Sequence, residues 1–283
     1  MKTIWKSATG MTMKKNYLNK GLEILQFNQL DDCNIFHFVT TRRGGVSQGT
    51  YSTFNLGRNS GDTVESIQKN YEILSENTGI SLQNIVYPCQ QHTVHIRKVD
   101  SSFLGIAPIE REKKLVGIDA LVTDIPDVCI VVTTADCVPV LLYAPDKKVV
   151  AAVHAGWRGT VGCIAANCVK MMVSEYGCDP KVMRAGIGPS ISQSAFEVGE
   201  ELVEAFRKFG QEKLSLLVER HPVTGKNHID LWKANSLQLQ GEGLVSANIE
   251  VAGMCTFSNE ELFFSARRQG IKCGRMLSGI MLK

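Results

Sequence analysis

The chain has 283 residues, of which 44% are hydrophobic and 21% are charged, and its formal net charge is +3. This composition is typical of a globular protein that is long enough to bury a sizeable core. A charge balance this mild, with the basic residues dispersed, argues against nucleic acid or a membrane surface as the partner. No apolar window reaches the roughly 18 residues of a membrane span and no signal-peptide pattern is present, so we expect a cytoplasmic protein.

The nine cysteines are scattered singly, with no CxxC pair. An odd number of unpaired cysteines argues against a disulfide framework and against a zinc ribbon, and it fits a reducing compartment. Histidines are scarce, with only six in the chain, so each one can be considered as a ligand in its own right.

The first 25 residues are weakly patterned, and we interpret them as an extension that precedes one domain over residues 26–283. Residues 34–41, NIFHFVTT, alternate like a strand and lead into a loop rich in Gly, Ser and Thr. Apolar residues at helical spacing, an Asp-Thr start and a glycine stop predict a helix over residues 62–79.

Strand-like segments follow in rapid succession: VHIRKV, DALVTD, VCIVVTT, VPVLLYA and VVAAVH. Because a parallel crossover needs a dozen or more connecting residues, we expect these strands to pair as hairpins. The patterns then predict a helix over 159–176, a strand over 182–187, helices over 197–209 and 232–240, and a tail of short strands and loops. This order of elements predicts one α/β domain.

Three candidate metal ligands come from separate segments: His92 in CQQHTVH, Cys137 in TTADCVPV and His154 in VVAAVHAGWRGT. Cysteine and histidine are the ligands that Zn²⁺ prefers, and three of them leave a fourth position open for water or substrate. Cys137 and His154 are 17 residues apart (154 minus 137), which is enough for a hairpin to bring them together. Considered one at a time, each residue also fits a structural role. Cys137 is equally consistent with a thiol packed in the core, and either histidine with a side chain that binds a backbone carbonyl.

A second group consists of arginines, whose guanidinium groups bind phosphate or carboxylate bidentately. Arg43 and Arg158 lie on glycine-containing loops that would bring a ligand close to the backbone. Adjacent exposed arginines are more often a solvated face, and this interpretation is favoured for the others. The others are Arg42, Arg267, Arg268 and Arg275.

At TTADCVPVLLYAPDKKVVAAVHAGWRGT the sequence closely resembles the YfiH family, also called laccase-domain or polyphenol-oxidoreductase-like proteins. The resemblance extends over nearly the whole chain after about residue 25, through TTRRGGVSQGTYSTFNLG, QQH, AGIGPSISQSAFEVG, IDLWKANSLQL and LFFSARRQGIKCGRM. It implies an α/β domain of stacked mixed sheets flanked by helices, similar to the catalytic domain of cytotoxic necrotizing factor. It also implies that His92, Cys137 and His154 bind zinc.

The resemblance further implies activity on purine nucleosides: phosphorolysis of adenosine, inosine or methylthioadenosine, and hydrolytic deamination of adenosine. A zinc with three protein ligands activates water for attack on the purine C6, and an arginine-lined pocket holds phosphate. We therefore expect zinc on His92, Cys137 and His154, with Asp136 as a nearby proton-transfer or supporting group. The residues assigned to substrate binding are Arg43, Asn55, Gln91 and Arg158.

Three alternatives stay open at this point. Cys137 with a histidine base would suit an amide hydrolase, since some relatives edit peptidoglycan precursors. A copper-dependent phenol oxidase agrees with the family name and with a His₂Cys site, but six histidines without a His-x-His pair are too few for multicopper chemistry. A non-catalytic, metal-stabilised binding protein would need a fourth ligand such as Cys89 or His95.

Overall fold

The N-terminal part of the chain adds strands to the edge of a sheet. The computed structural model describes residues 13–18 and 21–283; residues 1–12 and 19–20 of the predicted extension lie outside the described residues. β1 (Lys14–Tyr17) pairs antiparallel with β2 (Glu23–Gln26), which pairs with β3 (Ile35–Thr40). The predicted boundary between an extension and a domain, after residue 25, stays a prediction. The described residues before it belong to the first sheet.

The rest of the chain alternates short strands with helices. The remaining strands are β4 (Ile85–Val86), β5 (Ile96–Lys98), β6 (Ala120–Thr123), β7 (Cys129–Thr134), β8 (Val138–Ala144), β9 (Val149–Ala155), β10 (Arg184–Ile187), β11 (Glu197–Val198), β12 (Val218–Arg220), β13 (Asn227–Ile229), β14 (Ile249–Val251) and β15 (Met276–Leu282). The helices are α1 (Val64–Thr78), α2 (Ser101–Leu104), α3 (Pro108–Lys114), α4 (Trp157–Val161), α5 (Ile164–Tyr176), α6 (Glu200–Phe206), α7 (Gln211–Leu217), α8 (Leu231–Gly241) and α9 (Ala266–Gln269).

Two six-stranded sheets form the body of the protein, with the orders β1-β2-β3-β15-β7-β4 and β14-β10-β8-β9-β6-β5. Both are mixed, because β4 runs parallel to β7 and β5 runs parallel to β6. One buried core lies between the two sheets, and a second lies between the outer face of the second sheet and α5 and α8. Alternate residues of β8 and β9 supply the two cores, as the period of a strand requires. The predicted class, stacked mixed sheets flanked by helices, is confirmed.

The pairing of the central strands differs from the prediction in one informative way. β8 and β9 form the expected hairpin, but the expectation of hairpins throughout is wrong. The connection from β5 to β6 holds α2 and α3 and is long enough for a parallel crossover. β7 lies in the first sheet between β15 and β4, so the three residues before β8 carry the chain from one sheet to the other.

The first predicted helix is confirmed as α1. The Thr63 side chain caps its start by accepting a hydrogen bond from the Ser66 N–H, and Gly79 ends it in the left-handed conformation at φ 74°.

The second predicted helix, over residues 159–176, is wrong as a single helix, because α4 and α5 are separate. A Cβ on Gly162 would lie 2.1 Å from Val94 Cγ1, and Cys163 has φ 58°. Val94 therefore packs closely against the backbone at the position where α4 ends and α5 has not yet begun.

The helix predicted over residues 197–209 is also shorter than expected. Residues 197–198 form β11, and α6 begins after Gly199. The helix predicted over 232–240 corresponds to α8.

None of the helices in the described part of the chain combines the length and apolarity that a membrane crossing requires. The nine cysteines, all within the described residues, are free thiols, as their spacing predicted.

Candidate metal centre

The three predicted ligands meet where the chain crosses between the sheets. Cys137 follows the crossing from β7, and the β8–β9 register sets its neighbour Val138 opposite Ala155, beside His154. His92 reaches the same point from the loop after β4. The candidate ligand atoms of the three residues all lie within 4.8 Å of one another. The structure therefore brings together three side chains that sequence distance alone left apart.

The spacing of the donor atoms fits a single metal ion. Zn–S and Zn–N bonds of about 2.3 and 2.0 Å at a tetrahedral angle place sulfur and nitrogen roughly 3.5 Å apart. The Cys137 Sγ lies 3.7 Å from the His92 Nε2. Within the described residues no fourth His, Cys, Asp or Glu joins this group, and neither Cys89 nor His95 belongs to it. The geometry fits a centre with one position left open, as catalytic metal sites have.

Gly156 makes the close approach of these ligands possible. A Cβ at this position would lie 3.0 Å from both the Cys137 Sγ and the His92 Cδ2. A side chain at this position would press on both ligands, which would have to shift by a few tenths of an ångström. The HAGWRG segment thus supplies both a ligand, His154, and the space that the ligand group needs.

Asp119 supports the centre from behind, and the sequence analysis did not identify it. Its fully buried carboxylate accepts hydrogen bonds from the backbone N–H groups of Gln91, His92 and Thr93 at 3.2, 3.0 and 2.7 Å. It also lies 2.7 Å from the His154 Nδ1. This contact leaves the His154 Nε2 as the nitrogen available to a metal. The sequence feature that could have indicated Asp119 was its position as a single acidic residue directly before the apolar segment ALVT.

The same carboxylate holds the His92 loop in an uncommon backbone conformation. His92 has φ 60°, in the left-handed region that non-glycine residues seldom occupy. Three successive N–H groups that converge on one buried carboxylate offset the cost of this conformation. The ring of His92 then stands 4.9 Å from that of His154, measured between ring centroids.

The electrostatics of the group favour a thiolate. Burial alone would raise the pKa of Cys137, but His154 and His92 bring it down to about 6. Burial alone would lower the pKa of His154, but Cys137 and Asp119 raise it to about 9. The pKa of Asp119 falls to about 2, because the hydrogen bonds from His154 and Thr93 outweigh its burial. A deprotonated thiol is the form in which cysteine binds metal.

The ligand group opens into a cavity of about 570 Å³. The side chains of Tyr87, Trp157 and Phe196 give this cavity aromatic surface. Arg267 and Arg275 also line it, although the sequence analysis favoured a solvated face for both. The signal in their segment was the combination of clustered arginines with glycines at positions 270 and 274.

Asp136 lines the cavity, but its carboxylate is occupied by structural contacts. One oxygen accepts a hydrogen bond from the Thr256 hydroxyl and the other from the backbone N–H of Arg267, both at 2.6 Å. Asp136 thereby ties the crossing between the sheets to the start of α9. It does not belong to the ligand group, and its predicted part in proton transfer stays a prediction.

The two arginines predicted to bind phosphate are not among the residues that line the cavity. The Arg43 guanidinium donates to the Glu261 carbonyl at 3.0 Å and lies 3.5 Å from the Glu23 carboxylate. The exposed Arg158 guanidinium lies 4.2 Å from the centre of the Trp157 ring. Nearby acceptor and aromatic groups hold both side chains in these positions.

Asn55 and Gln91 also lie outside the cavity lining. The buried Asn55 amide donates to Ser60 and Asp62 and accepts from the N–H groups of Gly57 and Arg275. It thus shapes the loop that borders the cavity. The side chain of Gln91 is exposed, while its backbone N–H binds Asp119.

Fold and site together define a mixed α/β protein with a candidate metal centre that opens into a cavity. The family model described as "Multi-copper polyphenol oxidoreductase laccase" matches residues 36–283. The chain therefore belongs to this laccase-domain family, in agreement with the resemblance to YfiH proteins.

Individual proteins show the same relationship. The chain is 42% identical over 266 residues to "Purine nucleoside phosphorylase" of Bacteroides thetaiotaomicron, which covers 94% of this chain and 98% of that protein. It is 41% identical over 246 residues to "Adenosine deaminase RL5" of an unknown prokaryotic organism, covering 87% and 93%. The crystal structure of the Bacillus licheniformis hypothetical protein YfiH is similar, with a TM-score of 0.84, 29% identity and coverage of 92% and 96%.

Proposed function

We propose that this chain is a zinc-dependent enzyme of purine nucleosides, which catalyses phosphorolysis of adenosine, inosine or methylthioadenosine and deamination of adenosine. The carrying observation is the group of His92, Cys137 and His154 at the edge of a cavity of about 570 Å³. That volume falls within the roughly 300–1,000 Å³ of small-molecule sites. Relatives named purine nucleoside phosphorylase and adenosine deaminase support the substrate class.

The three ligands would hold the zinc, with the fourth position directed to water or substrate. When bound, zinc supplies a Lewis acid and lowers the pKa of a coordinated water. A His₂Cys set also suits a single copper ion. A multicopper centre would need further imidazoles, and the ligand group of the described residues includes only two of the six histidines. We therefore propose zinc.

The two reactions make different demands on the cavity. In deamination, a water oxygen bonds to the purine C6, the bond from C6 to the amino nitrogen breaks, and ammonia leaves with the proton from water. In phosphorolysis, a phosphate oxygen bonds to the ribose C1′ and the bond from C1′ to N9 breaks. The base leaves with the electron pair and takes the phosphate proton. The rings of Tyr87, Trp157 and Phe196 offer surfaces on which a purine stacks.

Product analysis tests the proposal. Zinc-loaded protein is incubated with adenosine, with and without phosphate, beside protein stripped of metal by a chelator. We expect adenine and ribose 1-phosphate only when phosphate is present, and inosine in either case. Absence of all three products from the zinc-loaded protein would exclude nucleoside chemistry of this kind.

One further candidate has a specific observation in its favour. The Cys137 Sγ lies 3.7 Å from the His92 Nε2 and the thiol pKa is lowered to about 6, which would also suit a cysteine nucleophile in an amide hydrolase. Chelation and thiol alkylation separate the two mechanisms. A nucleophile would be inactivated by alkylation and would tolerate metal removal, whereas a zinc enzyme loses turnover on chelation and regains it when zinc is added.

A further inference from the structure

We propose that the cavity contains a phosphate-binding subsite formed by Thr134, Arg267 and Arg275. The assignment rests on the proposed function, because phosphorolysis requires phosphate next to the nucleoside. Thr134 supplies the first observation. It is 2% exposed and lines the cavity, and its hydroxyl has no hydrogen-bond partner in the part of the chain that the structure describes. Buried hydroxyl groups nearly always have a partner, so this one is an unsatisfied polar group in the wall of the cavity.

Arg275 places a cation in the lining of the same cavity, directly before β15. Thr134 pairs with Met276 across β7 and β15, and Arg275 directly precedes Met276. The Arg275 guanidinium donates to the carbonyls of Ile271, Cys273 and Gly274 at 3.0, 2.6 and 3.0 Å. Carbonyl groups fix the guanidinium in place without neutralising its charge, and they leave part of its five donors unused.

Arg267 supplies the second cation. Its guanidinium donates through one nitrogen to the Glu197 carbonyl at 3.0 Å and lies 5.4 Å from the centre of the Phe196 ring. The remaining N–H groups can bind an oxyanion bidentately. Asp136 is the carboxylate that lines the cavity, and its two oxygens already accept from Thr256 and from the Arg267 backbone. Glu197, outside the lining, also interacts electrostatically with Arg267. The cavity wall therefore carries two guanidinium groups and one carboxylate.

The donor set defines the ligand as a tetrahedral oxyanion. Thr134 lies three residues before Cys137, so the subsite borders the metal centre. This is where a phosphate must lie to attack a nucleoside held in the same cavity. The 5′-phosphate of a nucleotide has the same chemistry as inorganic phosphate, and we assign the subsite to the inorganic ion.

Matched variants test the subsite. Thr134→Val removes the hydroxyl at constant shape, and its control is Ser278→Ala, which removes another buried hydroxyl without a partner, outside the cavity lining. Arg267→Gln removes a charge from the cavity. Its control is Arg268→Gln, one residue along α9 and outside the lining. Inorganic phosphate is titrated into each zinc-loaded protein by calorimetry, and KM for phosphate is measured with inosine.

We expect Thr134→Val and Arg267→Gln each to weaken phosphate binding about tenfold or more, because each removes a donor to a charged ligand. Both controls should keep the wild-type dissociation constant. Thr134→Val should also keep or raise the melting temperature, since the hydroxyl has no bond to lose. A threonine with a purely structural role would instead lower the melting temperature and leave phosphate binding unchanged.

Failure of the subsite and failure of the proposed function give different results. If the wild type binds no phosphate, or if both cavity variants bind it as tightly as the wild type, the subsite is wrong, whatever the activity. If the variants lose phosphate binding but no nucleoside product forms, the subsite stands and the proposed reaction falls. Titration with adenosine 5′-monophosphate forms the second arm. Thr134-dependent binding of this nucleotide, without binding of inorganic phosphate, would refute the assignment to the inorganic ion.

Discussion

Asp119 joins the two histidines of the candidate metal centre through one buried carboxylate. It fixes the His92 backbone through three N–H groups, and it accepts from the His154 ring. Carboxylates behind metal-binding histidines orient the ring and set its tautomer. The support of the centre is therefore concentrated in a residue that would not itself bind the metal.

Replacement of this carboxylate should weaken the centre without dismantling it. Asp119→Asn keeps the size of the side chain but removes its charge and one acceptor, so we expect zinc affinity to fall about 10- to 100-fold. Competition with a coloured chelator measures the affinity. Thr93→Val is the control, because it removes the hydroxyl contact to Asp119 and keeps the backbone one. Wild-type zinc affinity in a folded Asp119→Asn protein would contradict the role.

Gly156 provides a steric test of the same centre. In Gly156→Ala the new Cβ would lie 3.0 Å from two ligand side chains, so we expect substoichiometric zinc after purification. Gly241→Ala is the matched control, since nothing lies within 4 Å of the Cβ there. Elemental analysis gives the metal content of both proteins. Equal, full zinc occupancy in the two variants would show that the ligands tolerate the methyl group.

The sequence predicted part of this site. Residue type made His92, Cys137 and His154 candidates, the inferred β8–β9 hairpin brought Cys137 and His154 together, and the family resemblance selected the three as ligands. Asp119 was not recognisable, since a lone carboxylate beside an apolar strand does not reveal which N–H groups converge on it. Nor could the sequence distinguish Arg158, which lies on Trp157 outside the cavity lining, from Arg267 inside it.

At the scale of elements, hydrophobic pattern predicted the individual strands but not their sheets. The segment that forms β7 begins with the continuous apolar run CIVV and is buried along its whole length, and such a pattern fits any strand buried on both faces. Its partners β15 and β4 are distant in sequence and differ in direction. The crossing that follows it, which carries Asp136 and Cys137, was therefore hidden in what resembled a hairpin turn.

The burial of His37 in β3 makes the stability of the folded protein depend on pH. His37 is 3% exposed, and its Nε2 accepts a hydrogen bond from the Phe27 N–H at 2.8 Å. Burial lowers the pKa of His37 from 6.5 to about 4, although Asp31 opposes the shift. Between pH 6.5 and 4 the unfolded chain therefore binds more protons at this residue than the folded protein does.

Stability should consequently fall as the pH drops through this window. A depression from 6.5 to about 4 corresponds to a loss of about 3 kcal/mol, complete near pH 4. Urea unfolding at pH 7, 5.5 and 4 measures this loss. His37→Gln, whose side-chain oxygen can still accept from Phe27, serves as the comparison and should lose less over the same range. The same pH dependence in both proteins would assign the effect to other groups.

At the scale of the whole molecule, the candidate centre lies at the junction of the two stacked sheets. His92 follows a strand of the first sheet, His154 belongs to a strand of the second, and Cys137 directly follows the crossing between them. A metal held by all three would bind the folded chain and not the unfolded one, which holds these residues apart. Metal binding is then coupled to the global unfolding equilibrium.

We therefore expect zinc to raise the melting temperature of the entire protein. At a free zinc concentration of 100 times the dissociation constant, the stabilisation is about 2.7 kcal/mol, or several degrees for a chain of this size. Calorimetric scans with zinc and with a chelator measure the difference. Cys137→Ser should abolish most of it, whereas Cys33→Ser, which replaces an exposed thiol outside the ligand group, should keep it. An undiminished zinc effect in Cys137→Ser would remove this residue from the ligand set, because the fold would then gain its stability from a metal bound elsewhere.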